Sequence, residues 1–196
     1  MVTVSTSIRP YHHGELRPAL VEAGLALVAG ADEPSLRAVA RTVGVSATAV
    51  YRHFPDKMAL LTAVAQAGLD RLGAAQRAAF EAAGGGKAGF DATGVAYIRF
   101  ALDNPALFRL IFAQPVGDAM REAGADGNDA MTFLLANAAA LAPPGVDAPL
   151  FALQAWSLAH GMAMLMLDGQ VPADLDVAAR AMALHAVGAG TKAGQG

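Results

Sequence analysis

The chain contains no cysteine in its 196 residues, so neither a disulfide framework nor a thiolate-held metal site can form. This composition suits a reducing cytoplasm. Aromatic residues make up only 6% and charged residues 16%, while alanine and leucine are abundant; the balance favours helix over strand. Residues 1–10 lack the apolar core of a signal peptide. No His-Glu-x-x-His or Glu-x-x-His spacing occurs, and no Gly-x-Ser-x-Gly elbow. His12 and His13 are adjacent and cannot both ligate a metal from one helix face. A phosphate loop at Gly86-Lys87 is excluded as well, because Glu81 stands in place of its first glycine and Ala88 in place of its Ser/Thr. No enzyme, cofactor or metal is expected.

Positive charge is also scarce. The net charge is −3, against non-specific nucleic-acid binding through bulk charge. Residues 1–60 hold six Lys/Arg and five Asp/Glu, and the remainder eight and twelve, so the front is +1 and the back −4. That asymmetry permits a DNA-facing end.

What the chain does have is 55% hydrophobic content, enough to fill a core, and one informative stretch from Ser35 to Lys57. Ser35 is a good N-cap, and Leu36, Val39, Ala40 and Val43 follow at helical spacing. Gly44 arrives where a left-handed residue would end the helix. Ser46 then caps a second helix with Ala49, Val50 and Phe54 inward and Ala47, Thr48, Tyr51 and Arg52 outward. Two short helices around a tight turn are the pattern of a helix-turn-helix, whose second helix lies in the DNA major groove.

Elsewhere the sequence predicts helix throughout. A first helix starts near Gly14, with Pro18 in its first turn and Leu16, Leu20, Ala23 and Leu27 buried. A long fourth helix runs from Lys57 to about Ala83, and Gly84-Gly85-Gly86 breaks it. A second domain begins near Phe90, with Val95, Ile98 and Leu102 at helical spacing; Asn104-Pro105 ends that helix and caps the next, which carries Leu107, Phe108, Ile111 and Phe112. One or two helices fill 117–142, and Pro143-Pro144-Gly145 stops them. The last two helices run over about 149–167 and 174–187.

Ala148 to Leu167 carries no Asp, Glu, Lys or Arg, which raises the question of a membrane span. Gln154, Ser157 and His160 are polar interruptions, and Asp147 and Asp168 border the run without a positive flank. A helix apolar nearly all round is better read as packed on several sides, a second subunit among them.

The run Gly-Val-Ser-x-x-x-Val-Tyr-Arg-His-Phe-x-x-Lys, Gly44 to Lys57, resembles the DNA-binding signature of the tetracycline-repressor (TetR/AcrR) family of bacterial transcription regulators. The resemblance extends upstream through Tyr11-His12-His13-Gly14-Glu15-Leu16-Arg17. Trp156-x-x-x-His160-Gly161 is similar to a pattern in the ligand-binding domain of one subgroup. It implies an all-α fold, with an N-terminal three-helix DNA-binding domain and a C-terminal helical bundle for ligand binding and dimerisation. The corresponding division is an arm at 1–10, a helix-turn-helix domain at 11–57, a connecting helix at 58–83, an effector domain at 90–190 and a tail at 191–196.

By that resemblance the DNA-facing set is Ser35, Arg37, Ser46, Ala47, Thr48, Tyr51, Arg52, His53 and Lys57. Tyr51, His53 and Lys57 match phosphate-holding positions, and Arg37 matches one that reaches a base or the backbone. Thr48 can meet a base edge or a thymine methyl. Ala47 departs from relatives with a longer polar side chain, so base readout rests on few hydrogen bonds. The ligand set would be Phe108, Phe112, Met131, Gln154, Trp156, His160 and Met164, lining an apolar cavity; a core histidine beside a core tryptophan is the simpler alternative for His160. The expected partners are a double-stranded, palindromic DNA operator, an apolar small molecule, and a second copy of the chain through its last two helices. Such a ligand would shift the spacing of the two recognition helices through the fourth helix. Rival readings are a ligand carrier with a vestigial helix-turn-helix, a helical enzyme using His160 as a base, and an activator rather than a repressor.

Overall fold

A computed structural model describes residues 15–30, 32, 34–113 and 129–187. The predicted arm, His12, His13, Pro115 and the tail lie outside the described residues. Among the described residues every regular element is a helix: α1 (Leu16–Ala29), α2 (Leu36–Val43), α3 (Ala47–Tyr51), α4 (Lys57–Ala82), α5 (Gly86–Asp103), α6 (Pro105–Phe112), α7 (Asp129–Leu141), α8 (Ala148–Leu167) and α9 (Leu175–Val187). Two compact units divide the chain, Met1–Ala67 and Gly68–Gly196, and the boundary falls inside α4. The first half of the predicted connecting helix thus contributes Leu60 and Val64, both fully buried, to the first unit's core.

In the first unit, α1 buries more of its circumference than the predicted stripe. Leu20, Val21, Ala23, Leu25 and Val28 are all buried, whereas Leu16 and Leu27 are half-buried. Pro18 falls within the first turn, where its missing amide breaks no helical hydrogen bond. Val39, Val50 and Phe54 complete this core.

In the second unit α5 is the central helix, packed against α6, α7, α8 and α9. It starts at Gly86, four residues ahead of the expected Phe90, after a turn in which Gly84, Gly85 and Gly86 all take positive φ (81°, 73° and 58°). Phe90 stacks on Phe151 of α8 at 5.7 Å between ring centroids, beside Ala138 and Ala152. Asn104 departs from the sequence expectation. Its side-chain amide donates to the Phe100 carbonyl (3.1 Å) and so closes α5; it makes no side-chain cap on α6, whose start rests on Pro105.

α8 begins at an Asp147 cap, whose carboxylate accepts from the Leu150 amide (3.2 Å), and α9 at Asp174, which accepts from Asp176 and Val177. By length and composition alone α8 could cross a bilayer. It packs on α5, α7 and α9 instead, through Phe151, Ala152, Ala159, Ala163 and Met166. Its opposite side leaves Leu150, Leu153 and Leu165 exposed.

Candidate functional site

The first unit's surface is built from two caps and one left-handed residue. The Ser35 hydroxyl accepts from the Ala38 amide (3.2 Å) and starts α2. Gly44 ends it at φ 77°, ψ 32°, with the Gly44 and Val45 amides both donating to the Ala40 carbonyl. The Ser46 hydroxyl accepts from the Ala49 amide (3.3 Å) and starts α3. Val50 and Phe54, 0% and 1% exposed, lock the inner side of this turn to the core.

The outward residues are the ones expected at a DNA surface. Ala47, Thr48 and Arg52 are exposed, and the large ring of Tyr51 is 53% exposed. Arg37 on α2, Ser46 and Lys57 are exposed as well, while Ser35 and His53 are half-buried. Two details differ from expectation. Ala49 is only half-buried, and α3 ends at Tyr51, short of Phe54. Pro55 keeps the helix from running through Phe54, because the residue before a proline is pushed out of helical geometry. Asp56 then restarts the chain by accepting from the Ala59 amide (2.8 Å).

The second unit gathers part of the expected ligand set around a residue that sequence reasoning missed. Tyr97 of α5 is buried, and its hydroxyl lies 2.8 Å from Nδ1 of His160 on α8. The Trp156 indole N–H donates to the same hydroxyl (3.3 Å). The Tyr97 oxygen can accept that indole N–H and still share one proton with a neutral His160, donating to Nδ1 or accepting from Nδ1–H according to the imidazole tautomer. Burial lowers the pKa of His160 and so favours this neutral form. Burial also raises the Tyr97 phenol well above its ordinary value, against a smaller opposing effect of the Trp156 bond.

Phe108 and Phe112 of α6 surround the imidazole, with centroids 5.5 and 4.9 Å from it. An exposed Arg109–Asp168 ion pair (2.5 Å) joins α6 to the end of α8. The remaining predicted ligand residues do not all join. Met131 is buried on α7, and Met164 is half-buried one turn beyond His160. Gln154 is exposed, on the side of α8 away from the surface that packs inward. Tyr97 had no local signal, since its partners lie 59 and 63 residues along the chain. On the opposite face of α5 an open groove of about 570 Å³ is lined by Ala75 and Ala79 of α4, Ala92, Val95, Ala96, Arg99 and Asp103 of α5, and Ala179 of α9.

A capped helix-turn-helix joined to a larger helical unit defines a two-part DNA-binding protein of the helix-turn-helix class. Residues 20–64 match the family model described as bacterial regulatory proteins, tetR family, and residues 90–186 match that of the tetracyclin repressor-like C-terminal domain. A solved protein of unknown function from Rhodococcus sp. RHA1 is 35% identical, with 92% of this chain and 98% of that one covered and a TM-score of 0.74. A TetR family transcription regulator from Marinobacter aquaeolei VT8 shares the fold at 20% identity, with coverage of 89% and 95% and a TM-score of 0.63. A further TetR family regulator, PfmR from Thermus thermophilus, shares it at 21% identity, with coverage of 86% and 97% and a TM-score of 0.55. No curated protein matches the sequence. The chain belongs to the tetR family of bacterial regulatory proteins and is a DNA-binding transcriptional regulator, not an enzyme. Regulators of this family bind DNA and typically act as dimers.

Proposed function

We propose that this regulator is a cytoplasmic, ligand-responsive repressor that binds a palindromic operator as a homodimer. One observation carries the DNA half of this reading: Thr48, Tyr51 and Arg52 stand exposed on a helix whose inner side is fixed by Val50 and Phe54. Tyr51, His53 and Lys57 would hold phosphates and set register, with Arg37 beside them and Thr48 at a base edge. Ser35 and Ser46 serve as caps that fix the two helices, and Ala47 offers only a methyl group. In a dimer the two recognition helices would meet half-sites about 34–36 Å apart.

The outer side of α8 supports dimerisation through the last two helices. Leu150, Leu153 and Leu165 are 44–48% exposed, and Val177 of α9 adds to the exposed apolar residues. Two such helices from each copy would pack as a four-helix bundle.

For the effector, the groove beside α5 is a better candidate than the cluster around His160. Its volume of about 570 Å³ is within the range of small-molecule sites, and five alanines line it with Val95, Phe100 and the polar Asp91, Arg99, Asp103 and Asn104. The cluster's rings already pack against one another, and the Tyr97 hydroxyl and His160 Nδ1 are paired with each other. An apolar ligand acts only insofar as it binds the DNA-free state more tightly.

Selection of bound sequences from random duplex DNA, then titration at two salt concentrations, tests the DNA reading. A palindrome should be enriched, with affinity that falls steeply in salt and is lost in Tyr51→Ala plus Lys57→Ala. A folded dimer that enriches nothing would contradict it. For the effector, a compound that releases the operator from the wild type should fail on Ala96→Phe. Release that survives Ala96→Phe but disappears in His160→Ala would move the ligand to the aromatic cluster.

A further inference from the structure

We propose that Arg17 is an additional phosphate-binding residue, positioned just beyond the end of the recognition helix by the ring of Phe54. The inference rests on the DNA-facing role of α3. Arg17 belongs to the first turn of α1, far from α3 in sequence, yet its guanidinium carbon lies 5.1 Å from the centroid of the Phe54 ring. Phe54 is itself immobilised: it is 1% exposed, and its amide donates to the Val50 carbonyl (3.0 Å). The His53 amide donates to that carbonyl too (2.9 Å). The contact therefore holds a cation against Phe54, three residues beyond the end of the recognition helix.

The chemistry suits a phosphate. A guanidinium held over a ring by cation–π attraction has more N–H donors than the ring can occupy, and those turned to solvent can take a phosphate. Arg17 is exposed, so those donors face solvent. Because residues 1–60 carry a surplus of only +1, one preorganised cation is a large share of the attraction available.

The test measures binding to a labelled duplex of the selected palindrome across a salt series, for wild type, Arg17→Gln and Arg17→Lys, with thermal melting of each. The log-affinity against log-salt slope should shrink in Arg17→Gln by about 0.9 for each phosphate no longer neutralised, hence about 1.8 for a dimer. Arg17→Lys should keep most of the slope. An unchanged slope in Arg17→Gln overturns the proposal, leaving Arg17 as a cover for Phe54. Equal losses in Arg17→Gln and Arg17→Lys overturn it as well, since charge would then not be the active property. If Arg17→Gln does not melt cooperatively, Arg17→Met, whose apolar stem still covers the ring, decides on the same criteria. Wild-type binding without salt dependence would remove the phosphate reading of the whole face, Arg17 included.

Discussion

The Tyr97 hydroxyl and His160 Nδ1 are 2.8 Å apart across α5 and α8, and the same hydroxyl takes the Trp156 indole N–H. Removing the hydroxyl strands the Trp156 N–H and the His160 Nδ1 at once. Tyr97→Phe should therefore destabilise the protein by about 1–3 kcal/mol, although the ring still fills its place. Urea unfolding measures this. A loss below about 0.5 kcal/mol would mean that water satisfies both groups.

The same chain predicts a pH dependence. Burial depresses the His160 pKa in the folded protein, so between that value and the unfolded one, about 6.5, the unfolded chain binds more protons. Stability from this residue is complete above about pH 6.5 and is lost as pH falls through that window. Melting temperature should thus fall on mild acidification, and less so in His160→Gln. Parallel curves for the two proteins would refute the assignment.

Two glycines should respond oppositely to alanine. A Cβ on Gly24 of α1 would come 2.5 Å from Cγ2 of Val64, a stiff and fully buried side chain. Overpacking of about 1–3 kcal/mol outweighs the roughly 1 kcal/mol gained in helix propensity, so Gly24→Ala should lower stability. Gly161 on α8 has nothing within 4 Å of the same position. Gly161→Ala should stabilise the separated protomer by up to about 1 kcal/mol. If α8 pairs in the dimer, it should also weaken association, as should Leu153→Lys at the exposed stripe. Sedimentation across a concentration series reads both, and unaltered dimers in both variants would point to another interface.

At Gly44 the cost of a side chain should be purely conformational. The backbone there is left-handed at φ 77°, and a Cβ would meet nothing within 4 Å. Gly44→Ala should cost about 1–2 kcal/mol, and Gly44→Asn less, since asparagine tolerates this region. Equal losses, measured by denaturant unfolding, would indicate a clash rather than backbone strain.

The helix-turn-helix was legible in the sequence because everything that makes it is local. Ser35 and Ser46 cap amides three residues ahead, Gly44 turns the chain by itself, and the Val39, Val50 and Phe54 spacing decides which faces go inward. Only the end of α3 and the partial exposure of Ala49 differed. The helical fold of the second unit was likewise legible from its glycine and proline stops. α8 is the opposite case: an uncharged helix has no polar face to mark its outside, so sequence spacing could not tell that Gln154 stands in solvent while Trp156 and His160 turn toward α5. The pairing of Tyr97 with residues 59 and 63 positions away leaves no periodicity to read. The same holds for Arg17 on Phe54 and for the groove beside α5. Local hydrogen bonds and apolar spacing belong to the chain itself, whereas contacts between distant helices exist only once packing has brought them together.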